Sequence, residues 1–415
     1  MNTVANNSKG DTSSASTSGG GKRLLMASMG SWRNWEEGRG TNRNYHVLQE
    51  IRRRGAFEEI ITIDVIPHTY LSGLKTQFNM VLRQYRGADC GGGALARMTK
   101  VEEDLLVMEL PIAGIQGIRA AERKLQSLVN KRWPDGPDVV WSYTPFLSRL
   151  AELFPEATSV FDAVDEWREH QAYQDRREEL SEHYERIAQT YDTVFTVSQS
   201  VHQDLFANHT NATWIPNGID ADHFAPFDIT RWDQEDKEGF MRAKRAQELP
   251  QPVLGYVGVI ENRVDAELLT KVSEAFPGGS LVLVGPSWRK DTAWNELIAK
   301  PNVHVFGEVP YSSAPWVSSQ FDVALIPHKV NKFTQSMNPM KLYEYLSMGL
   351  PVVSTPVAGL DGFDDGVRIA TTPAEFVQAV QEAIQDVTPK AERRRLVQGH
   401  AWSDRVDRMF ELIDL

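Results

Sequence analysis

Short apolar runs alternate with amphipathic stretches along most of this chain. Arg23–Met29, Ile60–Ile66, Leu105–Leu110, Asp138–Ser142, Thr158–Asp162 and Val194–Val197 are compact and apolar, and read as buried strands. Asn42–Arg54 and Ile118–Arg132 read as helices, Glu166–Tyr191 as one long charged helix, and Ser198 as the cap of another. Thr69–Leu105 is poorly patterned, holds Tyr70, Lys75, Arg83, Tyr85, Arg86 and Arg97, and reads as helix and loop over a cleft or, equally, as a solvated basic face. Asp228–Glu248 is polar and charged and reads as a linker with an exposed helix. The first rhythm then returns. Strands are expected at Val253–Val259, Leu281–Val284, Val303–Phe306, Val323–Ile326 and Val352–Thr355. Helices are expected after a cap at Asp265, and over Tyr311–Ser319, Asn338–Gly349 and Thr372–Ile384. Such alternation predicts parallel sheets flanked by helices, here two of them.

Met1–Gly21 is rich in Ser, Thr, Asn and Gly and is expected to be disordered. The remainder of the 415 residues is too long for one ordinary domain and comfortable for two. The expected division is residues 22–227, 228–390 and a closing segment, 391–415. With 44 basic against 56 acidic residues, the chain is a poor candidate for nucleic-acid binding. Its one cysteine, Cys90, excludes an internal disulfide and fits a reducing compartment, the cytoplasm. No apolar run approaches membrane-spanning length. The basic helix Ile118–Arg132 is a candidate for peripheral contact with anionic membrane, against the plainer reading of a surface helix. The scattered histidines show no metal spacing, and neither G-x-G-x-x-G nor a P-loop is present.

The most informative stretch is Asn338–Gly359. Asn338 is placed to cap a helix, Pro339 suits its first position, and Gly349 suits a left-handed end. Lys341 and Glu344 lie three apart, on one helical face. A cation in the first turn, beside free N–H groups, makes an anion site, and a carboxylate one turn on can accept two ribose hydroxyls. The alternative is a surface Lys–Glu pair.

The run PMKLYEYLSMGLPVVST resembles the nucleotide-sugar site of the GT-B glycosyltransferases, of the bacterial group 1 type. The likeness extends, in the same order, to WIPNGIDADHF (Trp214–Phe224), PVLGYVGVI (Pro252–Ile260), LVLVGP (Leu281–Pro286) and FDVALIPHK (Phe321–Lys329). It implies two Rossmann-like domains facing across a cleft, with a final helix returning to the first. It implies that Lys341 faces the donor diphosphate and Glu344 the ribose. Lys329, Lys332 and Arg263 would join that pocket, with Gly258 and Asn338 beside it. The implied reaction moves a sugar from a nucleoside diphosphate sugar, UDP by preference, to a hydroxyl of a glycan, lipid-linked or small-molecule acceptor, with no further cofactor or metal. A GT-B sugar-nucleotide epimerase and a non-catalytic nucleotide-sugar or glycan binder remain as alternatives.

One departure bears on mechanism. Many retaining relatives pair two glutamates across seven residues; Glu344 fits the second, but Ser336 stands at the first. At the end of the Thr158 strand, where retaining relatives often carry a histidine, this chain has Asp162 and Asp165. The resemblance to inverting relatives makes Asp165 the expected general base, with Asp162 as runner-up. Asp165 could equally cap the helix expected from Glu166.

Overall fold

The computed structural model describes residues 21–64, 67–68, 85–93, 96–110, 112–224 and 237–415. The strands of the first half are β1 (Arg23–Ser28), β2 (Glu59–Asp64), β3 (Pro67–His68), β4 (Ala88–Gly93), β5 (Ala96–Lys100) and β6 (Leu105–Glu109). They continue with β7 (Ile112–Ala113), β8 (Val139–Ser142), β9 (Thr158–Ala163), β10 (Thr193–Thr196) and β11 (Ala212–Trp214). Nine of them form one sheet in the order β11-β10-β9-β8-β1-β2-β6-β5-β4, while β3 and β7 pair separately. The second half supplies β12 (Val253–Val257), β13 (Ser280–Val284), β14 (Val303–Gly307), β15 (Val323–Ile326), β16 (Val352–Ser354) and β17 (Val367–Ile369). These form a six-stranded sheet in the order β14-β13-β12-β15-β16-β17, parallel throughout. Each sheet is packed on both faces by helices, which is why its strands are near-continuous apolar runs. The fold is therefore two parallel-dominated α/β sheets, as the strand rhythm requires.

Four expectations are corrected. Thr69–Leu105 is not helix and loop throughout: β4 and β5 form an antiparallel hairpin on the sheet edge. Its glycines hid it, because Gly91–Gly93 carry no side chains to write an alternating pattern. A Cβ on Gly92 would stand 2.1 Å from the Ala96 carbonyl oxygen. Of the residues singled out there, Tyr70, Lys75 and Arg83 lie outside the described set. Glu166–Tyr191 is not one helix. Side chains of Glu166 and His170 accept from the N–H groups of Arg168 and Ala172, winding two short 3-10 turns before the helix Arg177–Thr190. The polar stretch before β12 ends in the helix Lys237–Gln247, which buries Ala243 and Ala246 and is not simply exposed. The closing segment is two helices, Lys390–Arg395 and Trp402–Glu411, separated at Gly399 (φ 76°). The expected disordered tail lies outside the described residues, save Gly21, which bonds to Glu58.

The basic helix, Gly114–Arg132, spends its apolar face on the first sheet: Ile118, Leu125, Leu128 and Val129 are buried in that core. Arg119, Arg123, Lys124 and Lys131 are left outside. No described helix is long and apolar enough to cross a membrane.

Two crossings join the domains side by side. The chain leaves the first domain after β11, where the Ile219 N–H donates to the His400 carbonyl at 2.9 Å. It returns at Trp402, whose N–H donates to Ile219 at 3.1 Å. The Trp402–Glu411 helix then places Trp402, Val406, Met409 and Phe410 in the first domain's core, against the helix Arg43–Arg53.

Candidate functional site

Both sheets present the carboxyl ends of their parallel strands to the region between them, where open α/β sheets take ligands. In the second sheet, β12 runs into Gly258 at φ 144°, a conformation that favours glycine. A Cβ there would meet the Lys341 side chain at 3.1 Å and the Tyr256 hydroxyl at 3.2 Å. The missing side chain is thus the space into which Lys341 reaches, with its ammonium over the Tyr256 ring at 5.3 Å.

Lys341 and Glu344 project from the first turns of the helix Met340–Ser347. Burial lowers the Lys341 pKa; Arg263 lowers it further, while Glu344 and Glu261 pull it back up. Burial raises the carboxyl of Glu344, and Lys341 opposes that rise. A cation held in short supply of counter-charge is suited to receive an anion. Asn338 does not cap the helix. Pro339 takes that position, and the Asn338 side chain accepts instead from the Asn217 N–H at 2.9 Å and the Tyr343 hydroxyl at 3.1 Å. Its role is to fasten the Met340–Ser347 helix to the interdomain crossing. Gly349 closes the helix at φ 76°, as expected.

The predicted cation cluster divides. Arg263 pairs with Glu261 at 3.0 Å and acts on Lys341 and on Asp165. Lys329 and Lys332 are exposed on the wall of a cavity of about 980 Å³ between the domains. That wall also includes Arg263, but neither Lys341 nor Glu344. The first domain contributes its 169–174 turn to the same cavity. Two contacts cross it: His170 stands edge-on to Phe333 at 4.8 Å, and the Asn262 amide donates to Gln171 at 2.6 Å.

The two candidate aspartates stand in opposite situations. Asp162 is fully buried, and both its oxygens accept from the Arg43 Nε, at 3.0 and 2.9 Å. Arg43 also donates to the Ile215 carbonyl at 2.9 Å, so this pair braces the crossing. A carboxylate engaged in this way has no path to an acceptor hydroxyl, and the runner-up reading of Asp162 gives way to a structural one. Asp165 is half-buried and caps nothing, since Glu166 takes the cap of the following turn. Burial pushes its carboxyl up to about 7; Arg263 opposes the rise and Glu261 adds to it.

Sequence reasoning missed Arg43, Tyr256, Asn217 and His328 as parts of this region. Arg43 carried no signal, because its partner is 119 residues away. His328 is fully buried beside Lys341 and Arg263 with neither ring nitrogen bonded, and burial, then those two cations, hold it neutral. Among the described residues no group of three or more His, Cys, Asp or Glu could hold a metal.

The comparisons with known proteins fall on the same features. Residues 263–411 match the family described as Glycosyl transferase-like. The putative teichuronic acid biosynthesis glycosyltransferase TuaH of Bacillus subtilis (strain 168) is 22% identical over 282 residues, 64% of this chain and 68% of the relative. Sucrose-phosphate synthase from Thermosynechococcus elongatus superposes with a TM-score of 0.67 at 13% identity, over 95% of this chain and 98% of that one. The chain has the GT-B fold of these structures, and its second half matches a glycosyltransferase family. Anabaena Alr3699/HepE in complex with UDP-glucose shares the fold of this chain with a TM-score of 0.65 at 12% identity, over 94% and 99% of the two chains.

Proposed function

We propose that this glycosyltransferase moves a sugar from a UDP-sugar to a hydroxyl of a glycan acceptor, free or lipid-linked, with inversion at the anomeric carbon. The observation that carries the reading is the Lys341–Glu344 turn opening onto Gly258, with Asp165 facing the same Arg263 from the other domain. Glu344 accepts the ribose hydroxyls; Lys341 and Arg263 take the charge that develops on the departing diphosphate. The acceptor oxygen attacks the anomeric carbon as the bond to the diphosphate breaks, and Asp165 takes the hydroxyl proton. Ser336 in place of the first glutamate of the retaining pair supports the same stereochemistry. UDP is favoured by the nucleotide complexes of the HepE structures, and a polysaccharide pathway by the description of the Bacillus relative.

The crossing at Ile219 and Ala401 supplies a hinge for closure over the donor. The lone Cys90 supports a cytoplasmic site for the reaction, and the exposed basic face of the Gly114–Arg132 helix supports a peripheral contact with anionic membrane. Such contact is electrostatic and is lost at high salt in liposome flotation. The direct test incubates the enzyme with UDP-sugars and a panel of glycan acceptors and reads the anomeric configuration of the product by NMR. A product with the donor's configuration would rule out inversion with Asp165 as base. Interconversion of the donor sugar without release of UDP would replace transfer by epimerisation.

A further inference from the structure

We propose that the cavity between the first domain's 169–174 turn and the outer loops of the second domain binds an acidic oligosaccharide several sugars long, which is the acceptor chain. The inference rests on the transferase reading and adds to it a place, a length and a charge for the acceptor.

Size is the first argument. At about 980 Å³ the cavity is at the top of the roughly 300–1,000 Å³ range of small-molecule pockets, more than a single sugar needs. Position is the second. Asp165 precedes Glu169 and His170 on the wall by four and five residues, and its charged neighbours Arg263 and Glu261 are themselves on that wall. A chain lying in the cavity therefore has one end at the base.

Trp288 is the third argument. It stands on the wall with 69% of its surface exposed and no ring partner among the described residues. The loop presents it through a backbone bond from its N–H to Ile260. A flat apolar face with a polar edge, left open in a cleft, suits the C–H face of a sugar ring.

Charge is the fourth. Most lining acids are already engaged. Glu261 pairs with Arg263, Asp291 with Arg289 at 2.6 Å and Glu169 with Arg177 at 2.6 Å. Asp265 accepts from the Leu268 N–H at 3.0 Å as a helix cap. Glu267 has no such partner among the described residues. Against it stand two ammonium groups, Lys329 and Lys332, likewise without an ion-pair partner among the described residues. The Lys329–Lys332 side of the wall therefore offers two ammonium groups unpaired among the described residues, and that side favours carboxylate-bearing sugars.

The test is a calorimetric titration of the full chain, saturated with UDP, with three probes: an unsulfated chondroitin hexasaccharide, cellohexaose and glucuronic acid. The acidic hexasaccharide is expected to bind at least tenfold tighter than either of the others. Trp288→Ala should weaken it at least fivefold, and the Lys329→Ala/Lys332→Ala double variant should reduce it to the level of cellohexaose. Equal binding of hexasaccharide and monosaccharide, or a Trp288→Ala protein that binds the hexasaccharide as wild type does, overturns the proposal. Thermal stabilisation by UDP reports on the donor site separately. Its absence from the wild-type protein counts against the transferase reading, whereas its retention beside a flat glycan titration counts against the cavity alone.

Discussion

The two sheets end in walls of different construction. In the second domain the charged groups come from one helical turn and a strand end: Lys341 and Glu344 three residues apart, with Gly258 opening the space between strand and helix. In the first domain the wall is a row across adjacent strands. Ser28, Asp64, Glu109 and Arg97 are successive register partners on β1, β2, β6 and β5. Tyr85 bonds to Asp64, whose carboxyl burial raises to about 6; burial, then Asp64, raises Glu109 to about 7. One wall is written within a few residues and presents a cation with a carboxylate. The other is assembled from segments up to about eighty residues apart and presents two carboxyls held near neutrality. The contrast separates a wall that offers a buried cation from one that offers two carboxyls.

The largest expected effect lies where the walls meet. Asp165→Asn should cut transfer on the order of a hundredfold or more while UDP affinity stays, measured by rate assay and thermal shift. Asp162→Ala, three residues away, should act on the fold instead, with about 3–5 kcal/mol lost in denaturant melts because Arg43 is left buried and unpaired. Next is the donor wall. Glu344→Ala removes a charge-assisted hydrogen bond worth roughly 1.5–3 kcal/mol and should weaken UDP about ten- to a hundredfold in calorimetry. Then comes pH. The base works as a carboxylate and its pKa is pushed up to about 7, so kcat/KM should fall as pH drops below that value. The fall should be roughly tenfold per unit on the acid limb, and Asp165→Asn should abolish that limb. The smallest effect tests the first wall. Glu109→Gln, outside the cavity proposed for the acceptor, should leave UDP affinity unchanged in calorimetry; a loss of UDP binding would erase the distinction between the walls.

The same contrast governs how much was legible in the sequence. The parallel strands of both sheets follow from apolar runs whose period is local, and the donor turn from a spacing of three. The β4–β5 hairpin was hidden by glycines, and the 3-10 turns after Glu166 by side-chain bonds that only the folded geometry reveals. Asp162 and Asp165 look alike in sequence; Arg43, 119 residues from Asp162, is what tells them apart. Lys329, Lys332 and Lys341 are close along the chain, yet the path after β15 turns the first two onto a different wall.

The returning helix has a consequence for the order in which this protein is made. Trp402, Val406, Met409 and Phe410 complete the core that Val47, Leu48 and Ile51 begin. When β11 leaves the ribosome, the first domain has every strand of its sheet but a groove where that helix belongs. The stretch from β11 to the end of that helix takes on the order of 10–40 s to synthesise at about 5–20 residues per second. For that interval the nascent domain carries an open apolar seam, which closes only when the distant Trp402–Glu411 helix has been translated.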